Sequence, residues 1–389
     1  MTKNDQKLTK RLYLTEFFGE SFAVYALIPL FFKAYASLDM ISVGTLLAVW
    51  QLTTVALEIP TGVVADRFGR RASIQSGKFI NIIALLIWLL LPNFVGLLVG
   101  VCFFSLGNAL LSGSIEAYTF DELEDKKIYN KIRQRTVAIH LGAFSFAGLM
   151  AYFLNADYAR MLVASIISAV IGFLLSLLLA IDTHQSEKMM QFGDIVRSTK
   201  HEIKKSKKVL YIFLIATITT SMLVFFIEQI PLFYSDTGIT DKTVALLMAI
   251  GNILTFLILW KLHAYEEVTR KHQNLLLVTL FVLLGISLLF GNRWIQIGLI
   301  FLSVRIVRIM YLHASNDLQH VIKTGSRATI ISTASFLGKI FSGIGIFSVG
   351  ILSGITNDSR ISIFMIGFFL IVLVVILSQK SRRLVRAKE

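Results

Sequence analysis

The sequence predicts an all-α integral membrane protein in which twelve transmembrane helices form two pseudo-symmetric six-helix bundles. Three observations support this prediction. The 389 residues are 55% hydrophobic and 16% charged, with a mean hydropathy of +0.72, whereas soluble domains are about a quarter charged. Twelve apolar stretches are each long enough to cross a bilayer. Short sequence patterns also recur between the two halves of the chain at a nearly constant offset.

The apolar stretches define the predicted spans 1 to 12. The first is too long for a signal peptide and lacks a small-residue cleavage site, so it counts as a span. Polar connectors of a few residues separate most neighbouring spans, which leaves no room for an extracellular catalytic domain. The spans lie at about 12–34, 41–64, 72–91, 94–117, 131–154, 159–181, 209–234, 242–262, 273–291, 294–315, 327–352 and 359–379.

The distribution of positive charge predicts the orientation in the membrane. If both termini are cytoplasmic, 29 of the 38 Lys and Arg residues fall on the cytoplasmic side and five on the other side, as the positive-inside rule requires. The net charge of +14 is therefore topogenic, and nucleic acid is not an expected partner. One cysteine, Cys102, excludes a disulfide framework. We expect a monomer in a bacterial cytoplasmic membrane.

An internal repeat divides the chain into two halves. The run Ile28–Phe32 recurs as Ile230–Tyr234, at an offset of 202, and the charged loop after span 2 recurs after span 8. Each half has an even number of spans, so the halves are parallel repeats, which is an architecture of transporters. The predicted parts are an N-terminal bundle over 1–181, a cytoplasmic linker over 182–208 and a C-terminal bundle over 209–389.

A charged, glycine-containing loop follows span 2. Its glycines permit close helix approach and a tight turn, and its aspartate can accept a hydrogen bond from Arg70 or cap the N-terminus of a neighbouring helix. With Gly62, Asp66, Arg67, Gly69, Arg70 and Arg71 at these spacings, the loop resembles the signature of the major facilitator superfamily, and with the spans and the repeat the resemblance covers the whole chain. It implies that the loop latches the two halves together on the cytoplasmic side.

Two further features concern contacts between helices. By the same resemblance, Glu58 on span 2 and Lys339 on span 11 lie where the halves meet and could form a gating ion pair; the alternative is that both reach the membrane interface. Gly350 and Gly354 are spaced for close helix packing. The chain departs from the drug–proton antiporter pattern, because Phe103 stands where those proteins carry an arginine.

Charged side chains within membrane spans cost free energy, so their presence suggests a functional role. By resemblance to the family, spans 1, 4, 7 and 10 line the central cavity, and each of them carries charge. Together the charged residues are candidates for proton coupling and substrate binding. They are Glu16, Glu20, Glu116, Glu228, Arg305 and Arg308.

The acidic candidates have different expected roles. Glu16 and Glu20, one turn apart, could share a proton or bind a cation, or they could lie at the cytoplasmic interface. Glu116 is expected inside span 4 in apolar surroundings, as a proton carrier or as a partner for an arginine of the other half. Glu228 is expected to pair with an arginine or to act at an outer gate. His140 on span 5 is a candidate proton relay or a packing residue.

Arginine keeps its charge, so Arg305 and Arg308 require carboxylate partners or an anionic substrate. The sequence therefore predicts a secondary transporter that works by alternating access, without a catalytic role, a cofactor or a metal. We expect it to be driven by the proton gradient, and to export small amphipathic or cationic molecules. The alternative is uptake or exchange of a small anion bound by the two arginines. A lipid-modifying enzyme and a non-transporting receptor are the other classes considered.

Overall fold

A computed structural model describes residues 2–180, 206–261, 266–322 and 327–386, and these residues are helical almost throughout, without a β-strand. Eleven helices are long and apolar enough to cross a membrane, and a bent helix pair at the N-terminus makes a twelfth span. The prediction of an all-α membrane protein is therefore confirmed. Most of the predicted linker 182–208 lies outside the described residues.

The helices follow the predicted spans closely. Most single-helix spans are 18 to 30 residues long. After the bent span 1, the helices of spans 2 to 12 are Met40–Phe68, Arg70–Leu90, Phe94–Leu111, Tyr129–Phe153, Tyr158–Leu177, Lys207–Ser235, Asp241–Lys261, Glu266–Phe290, Arg293–Val321, Arg327–Thr356 and Ser359–Arg386.

Span 1 is broken in the middle, which the sequence analysis did not predict. A helix over Lys3–Glu20 is followed by a 3₁₀ turn over Ala23–Leu27 and a second helix over Ile28–Tyr35, and the two parts are bent by 48°. Pro29 lies in the first turn of the second helix, where its missing N–H costs nothing. The break occurs directly after Glu20.

Glycines with positive φ mark two further helix ends. Gly69, with φ of 94°, separates spans 2 and 3, which confirms the predicted tight turn. Gly113, with φ of 76°, interrupts the helix of span 4, and a second helix over Ser114–Glu122 continues the same candidate span. A residue with a Cβ is strained in this conformation. The turn at Gly113 therefore places Glu116 on the second of these two helices.

The described chain divides into two compact units. The first contains Met1–Asp39, Leu52–Met189 and Ile239–Ile258, and the second contains the remaining segments. Each unit therefore consists mainly of one half of the sequence together with a helical segment from the other half. The predicted division at 1–181, 182–208 and 209–389 stays a prediction.

Equivalent ion pairs occur in the two units. In the first, Arg70 Nη1 lies 2.7 Å from Asp121 Oδ2 and joins the start of span 3 to the region after span 4. In the second, Arg270 pairs with Asp317 and joins the start of span 9 to the end of span 10. The residue numbers of the partners differ by 200 and 196. These contacts support the internal repeat that the sequence predicted.

Close helix crossings also repeat. In the first unit, a Cβ built on Gly148 of span 5 would lie 2.9 Å from the carbonyl oxygen of Ala245 in span 8. In the second unit, a Cβ on Gly350 of span 11 would lie 2.9 Å from Gly44 Cα in span 2. Both distances are too short for a side chain, so both crossings require glycine. The predicted packing role of Gly350 is thereby confirmed.

Candidate functional site

The break in span 1 is held by hydrogen bonds from span 6. The Ser168 hydroxyl donates to the carbonyl of Phe18 at 2.9 Å, and the Val24 amide donates to the Ser165 hydroxyl at 3.1 Å. These bonds satisfy backbone groups that the interrupted helix leaves without partners. Gly172 brings span 6 close, because a Cβ there would lie 2.8 Å from the Gly19 nitrogen. Span 6 therefore fixes the position of the acidic end of the first helix.

A buried ionic cluster lies beside this break. Glu16 Oε1 accepts a hydrogen bond from Lys78 Nζ at 3.2 Å, and Glu16 Oε2 lies 3.0 Å from His140 Nε2. The Glu16 and Lys78 side chains are 1% and 2% exposed, so both are enclosed by the protein. A buried carboxylate is tolerated when a counter-charge and hydrogen bonds accompany it. The cluster joins spans 1, 3 and 5.

A missing side chain makes room for the cluster. A Cβ built on Gly19 would lie 2.2 Å from Lys78 Nζ, so the ammonium group occupies the space that any larger residue would fill. The sequence analysis did not assign Lys78 as a partner of Glu16. A signal was present, because Lys78 is one of few lysines within an apolar stretch and such a charge requires a partner.

Glu20 differs from Glu16 in its environment. Its side chain is half-buried, and within the described chain it forms no hydrogen bond or ion pair. Its carboxylate nevertheless interacts electrostatically with His140, Glu16 and Lys78. With a neutral His140, the four groups carry two negative charges and one positive charge. A single proton would neutralise them.

Aromatic rings surround the same region of the first unit. Tyr25 stacks on Phe144 with ring centroids 5.6 Å apart, and Phe17 contacts Phe146 at 5.6 Å. Phe144 and Phe146 follow His140 on span 5, so the aromatic side chains and the ionic cluster share two helices. This arrangement combines negative charge with aromatic surface.

Glu116 does not occupy the apolar enclosure that the sequence predicted. Its side chain is 55% exposed, and its Oε1 accepts a hydrogen bond from Arg133 Nε at 3.1 Å. The turn at Gly113 interrupts the helix, and Glu116 lies in the first turn of the helix that follows it. The partner arginine belongs to the same half of the chain, not to the other half. This environment is that of an exposed ion pair.

The signature loop has contacts that the sequence did not predict. Arg70 pairs with Asp121, where a hydrogen bond to Asp66 was expected; the side chain of Asp66 is outside the described residues. Arg71 Nη2 donates to the carbonyl of Leu177 at 3.0 Å and joins the loop to span 6. Arg67 is exposed. The latch assigned to this loop, including Gly62, stays a prediction, as does the Glu58–Lys339 ion pair.

The two arginines of span 10 lie in the second unit without carboxylate partners among the described side chains. Arg305 is 9% exposed, and its guanidinium stands 4.4 Å from the centroid of the Phe301 ring. Its Nε is buried and has no hydrogen-bond partner within the described ranges. Arg308 is half-buried one turn further along. The expected pairing of these arginines with glutamates is not found among the described residues.

Span 7 contributes polar groups to the same unit. The Tyr234 side chain lies close enough to Arg305 to interact electrostatically, and its buried hydroxyl has no hydrogen-bond partner in the described part. Gln229 Oε1 is likewise buried and unsatisfied there. Glu228 is half-buried, and no ion pair links it to the described arginines. The sequence analysis missed Tyr234 and Gln229 because uncharged polar residues are common in helices.

Metal binding has no evident site among the residues that the structure describes, since no group of three His, Cys, Asp or Glu side chains is arranged to hold an ion. The described geometry therefore consists of two polar centres in separate units. One contains Glu16, Glu20, Lys78 and His140, and the other contains Arg305 and Arg308 with their neighbours.

A polytopic helical chain with an internal repeat and intramembrane charges has the features of a transporter. The Major Facilitator Superfamily model matches residues 12–346. The chain belongs to this superfamily, and it is a membrane transporter, not an enzyme.

Comparisons with individual proteins agree with this assignment. The chain is 22% identical over 347 residues to YxaM of Bacillus subtilis (strain 168), described as an uncharacterized MFS-type transporter, and the match covers 87% of this chain and 85% of the relative. A point mutant of the nucleoside transporter NupG has a similar fold, with a TM-score of 0.79 at 13% identity over 97% of this chain and 99% of that one.

The D-xylose–proton symporter is also similar, with a TM-score of 0.75 at 12% identity over 96% of this chain and 97% of that one. At these identities, the likeness to the solved structures concerns the fold alone. The substrates of these transporters differ, so the chemistry of this chain's own polar centres is the basis for a functional proposal.

Proposed function

We propose that this transporter is proton-coupled, and that Glu20 and His140 form its proton-binding pair. This proposal rests on the charge balance of the buried cluster in the first unit. Glu16 has two close partners, whereas the half-buried Glu20 has none among the described residues. Low-dielectric surroundings penalise an unpaired carboxylate. A proton on Glu20 or His140 therefore balances the cluster, and its release leaves a net negative charge.

We propose further that the substrate is a small organic anion held by Arg305 and Arg308. Two cationic side chains near the middle of span 10, without carboxylate partners in the described chain, require a counter-charge. Arginine presents a planar fork that matches carboxylate and phosphate oxygens. The unsatisfied hydroxyl of Tyr234 supplies a neutral hydrogen-bond donor nearby. These groups suit a carboxylate or phosphate better than a cation.

The second candidate is proton-coupled export of small amphipathic or cationic molecules. Aromatic rings on spans 1 and 5, close to the unpaired Glu20, favour it, because a cation gains from a ring face and from a carboxylate together. The arginines of span 10 count against it, since like charges repel. Under either candidate, we propose a bacterial cytoplasmic membrane, cytoplasmic termini and a latching role for the signature loop.

The coupling proposal is tested with purified protein in liposomes that contain a trapped pH-sensitive dye. Solute-induced proton movement is expected in the native protein and is expected to disappear in Glu20→Gln. Glutamine keeps the size and polarity of the side chain and removes the titrating proton. The control is Glu124→Gln, an exposed carboxylate in the same half. Full proton coupling in Glu20→Gln would refute the assignment of Glu20.

The substrate proposal is tested in the same liposomes with defined probes. A panel of mono- and dicarboxylates with three to six carbons is compared with the lipophilic cation tetraphenylphosphonium. We expect movement of an anion, abolished in Arg305→Gln and retained in Arg293→Gln, where the arginine lies against Trp294 at the start of span 10. Movement of the cation that is insensitive to Arg305→Gln would support the second candidate instead.

A further inference from the structure

A cavity within the second unit has no role in the proposed transport cycle. It has a volume of about 550 Å³ and lies between the helices of spans 7, 9, 10 and 12. This volume is within the range of sites that hold small molecules. Spans 9 and 12 are not among the spans expected to line the central cavity. The cavity therefore differs from the expected central cavity in two of its four walls and lies within one unit.

Basic side chains surround the mouth of this cavity. Lys208 starts span 7, and Arg270 and Lys271 lie in the second turn of span 9. Asp317 on span 10 compensates Arg270 through an ion pair. Lys208 and Lys271 form no ion pair with another side chain of the described ranges. Among the side chains that the structure describes, these two positive charges at the mouth therefore have no carboxylate partner.

The deeper wall of the cavity is apolar on one part of its surface and carries polar side chains, including Thr219 and His313, on the rest. Ile212 and Ile215 of span 7 and Met310 of span 10 line it. From Lys208 to Ile215 the helix rises about 10 Å, at 1.5 Å per residue. The buried Oδ1 of Asn274 also lines the cavity and lacks a hydrogen-bond partner in the described chain. The cavity therefore combines a cationic mouth, an unsatisfied polar group and a partly apolar interior.

We propose that this cavity binds one anionic phospholipid. Its phosphate lies between Lys208 and Lys271, and one acyl chain runs along Ile212, Ile215 and Met310. The mouth is at the end of the bundle predicted to face the cytoplasm, where anionic lipids produce a negative surface potential. A hydroxyl of a glycerol headgroup is a suitable donor for Asn274. The proposal does not depend on the identity of the transported solute.

The test is native mass spectrometry of the full-length protein in mild detergent, titrated with phosphatidylglycerol and with phosphatidylcholine of the same acyl chains. We expect one tight site that prefers phosphatidylglycerol. In Lys208→Gln/Lys271→Gln, its affinity is expected to fall about twenty-five-fold, because each lysine beside an anionic lipid contributes about a factor of five. The matched control is Lys127→Gln/Lys131→Gln, exposed lysines of the first unit, with unchanged affinity. An equal loss in both double variants would indicate diffuse adsorption and overturn the proposal.

Two further measurements distinguish a lipid from a soluble anion. Glycerol 3-phosphate is expected to compete at least a hundredfold more weakly than phosphatidylglycerol; equal competition would make the cavity a site for soluble phosphates and refute the lipid assignment. Ile215→Phe, which narrows the apolar wall, is expected to reduce the preference for long-chain over short-chain phosphatidylglycerol. Binding of the short-chain lipid shows that this variant is folded, so an unchanged preference would also refute the proposal.

Discussion

Replacing Lys78 with methionine tests whether the buried cluster is held by charge. Methionine keeps an unbranched apolar side chain but removes the ammonium group that lies 3.2 Å from Glu16 Oε1. Because both side chains are at most 2% exposed, water cannot replace the lost partner. Breaking a buried pair from one side costs about 3–5 kcal/mol. His140 remains 3.0 Å from the other oxygen, so we expect a loss of about 3 kcal/mol, at the lower end of that range.

The assay is equilibrium unfolding of the purified protein in mixed micelles with increasing SDS. The native protein is compared with Lys78→Met, Glu16→Gln and the double variant, which together form a double-mutant cycle. The double variant removes both charges, and such replacements are often close to neutral, so we expect it to be within about 1 kcal/mol of the native protein. Lys131→Met, at an exposed position, is the control and should change stability by less than about 0.5 kcal/mol.

Two results would contradict this reasoning. A loss below about 1 kcal/mol in Lys78→Met would mean that water or another group compensates Glu16. A double variant as unstable as the sum of the single variants would mean that shape, not charge, determines the stability of the cluster.

Two further predictions concern the second unit. Gly350→Ala is expected to destabilise the protein by about 1–3 kcal/mol and to reduce transport, because the new Cβ would lie 2.9 Å from Gly44 Cα. The control is Gly298→Ala, whose Cβ meets open space. It should change neither the free energy of unfolding nor the transport rate. Burial works to raise the pKa of Asp358, but hydrogen bonds from Arg360 hold it below the usual 3.8. Ionised Asp358 therefore stabilises the fold at pH values above 3.8, and this contribution is lost as the pH falls through the lowered pKa. The free energy of unfolding of Asp358→Asn, measured as a function of pH, should not show this loss in acid.

The spans and the repeat were predictable because they depend on local composition. Apolar runs determine which segments cross the membrane, and Gly69 marks a turn through its own backbone preference. The break in span 1 was not predictable, because Ser21 and Phe22 carry no helix-breaking signal and apolar residues continue on both sides. It is stabilised by Ser165 and Ser168, which are distant in sequence.

The candidate site was predictable in its charges and not in its pairing. Glu16 and Glu20 stand out because carboxylates within a span are rare, but Lys78 joins Glu16 only through tertiary packing beside Gly19. Glu116 was assigned wrongly to apolar surroundings, although Gly113 just before it signalled the end of the helix. A break inside a span is enough to turn a side chain from the interior to the surface.

The two glycine crossings have a consequence for regulation by the surroundings. Gly148 meets Ala245 and Gly350 meets Gly44 through backbone and methyl contacts, without charged groups at the points of closest approach. Such contacts depend on dispersion and shape, which ionic strength and pH hardly affect. The free energy of separating these helices therefore does not depend on the protonation of Glu20 and its neighbours. Under the proposed proton coupling, acidification of the medium would change the protonation of Glu20 and His140 without weakening these two helix contacts.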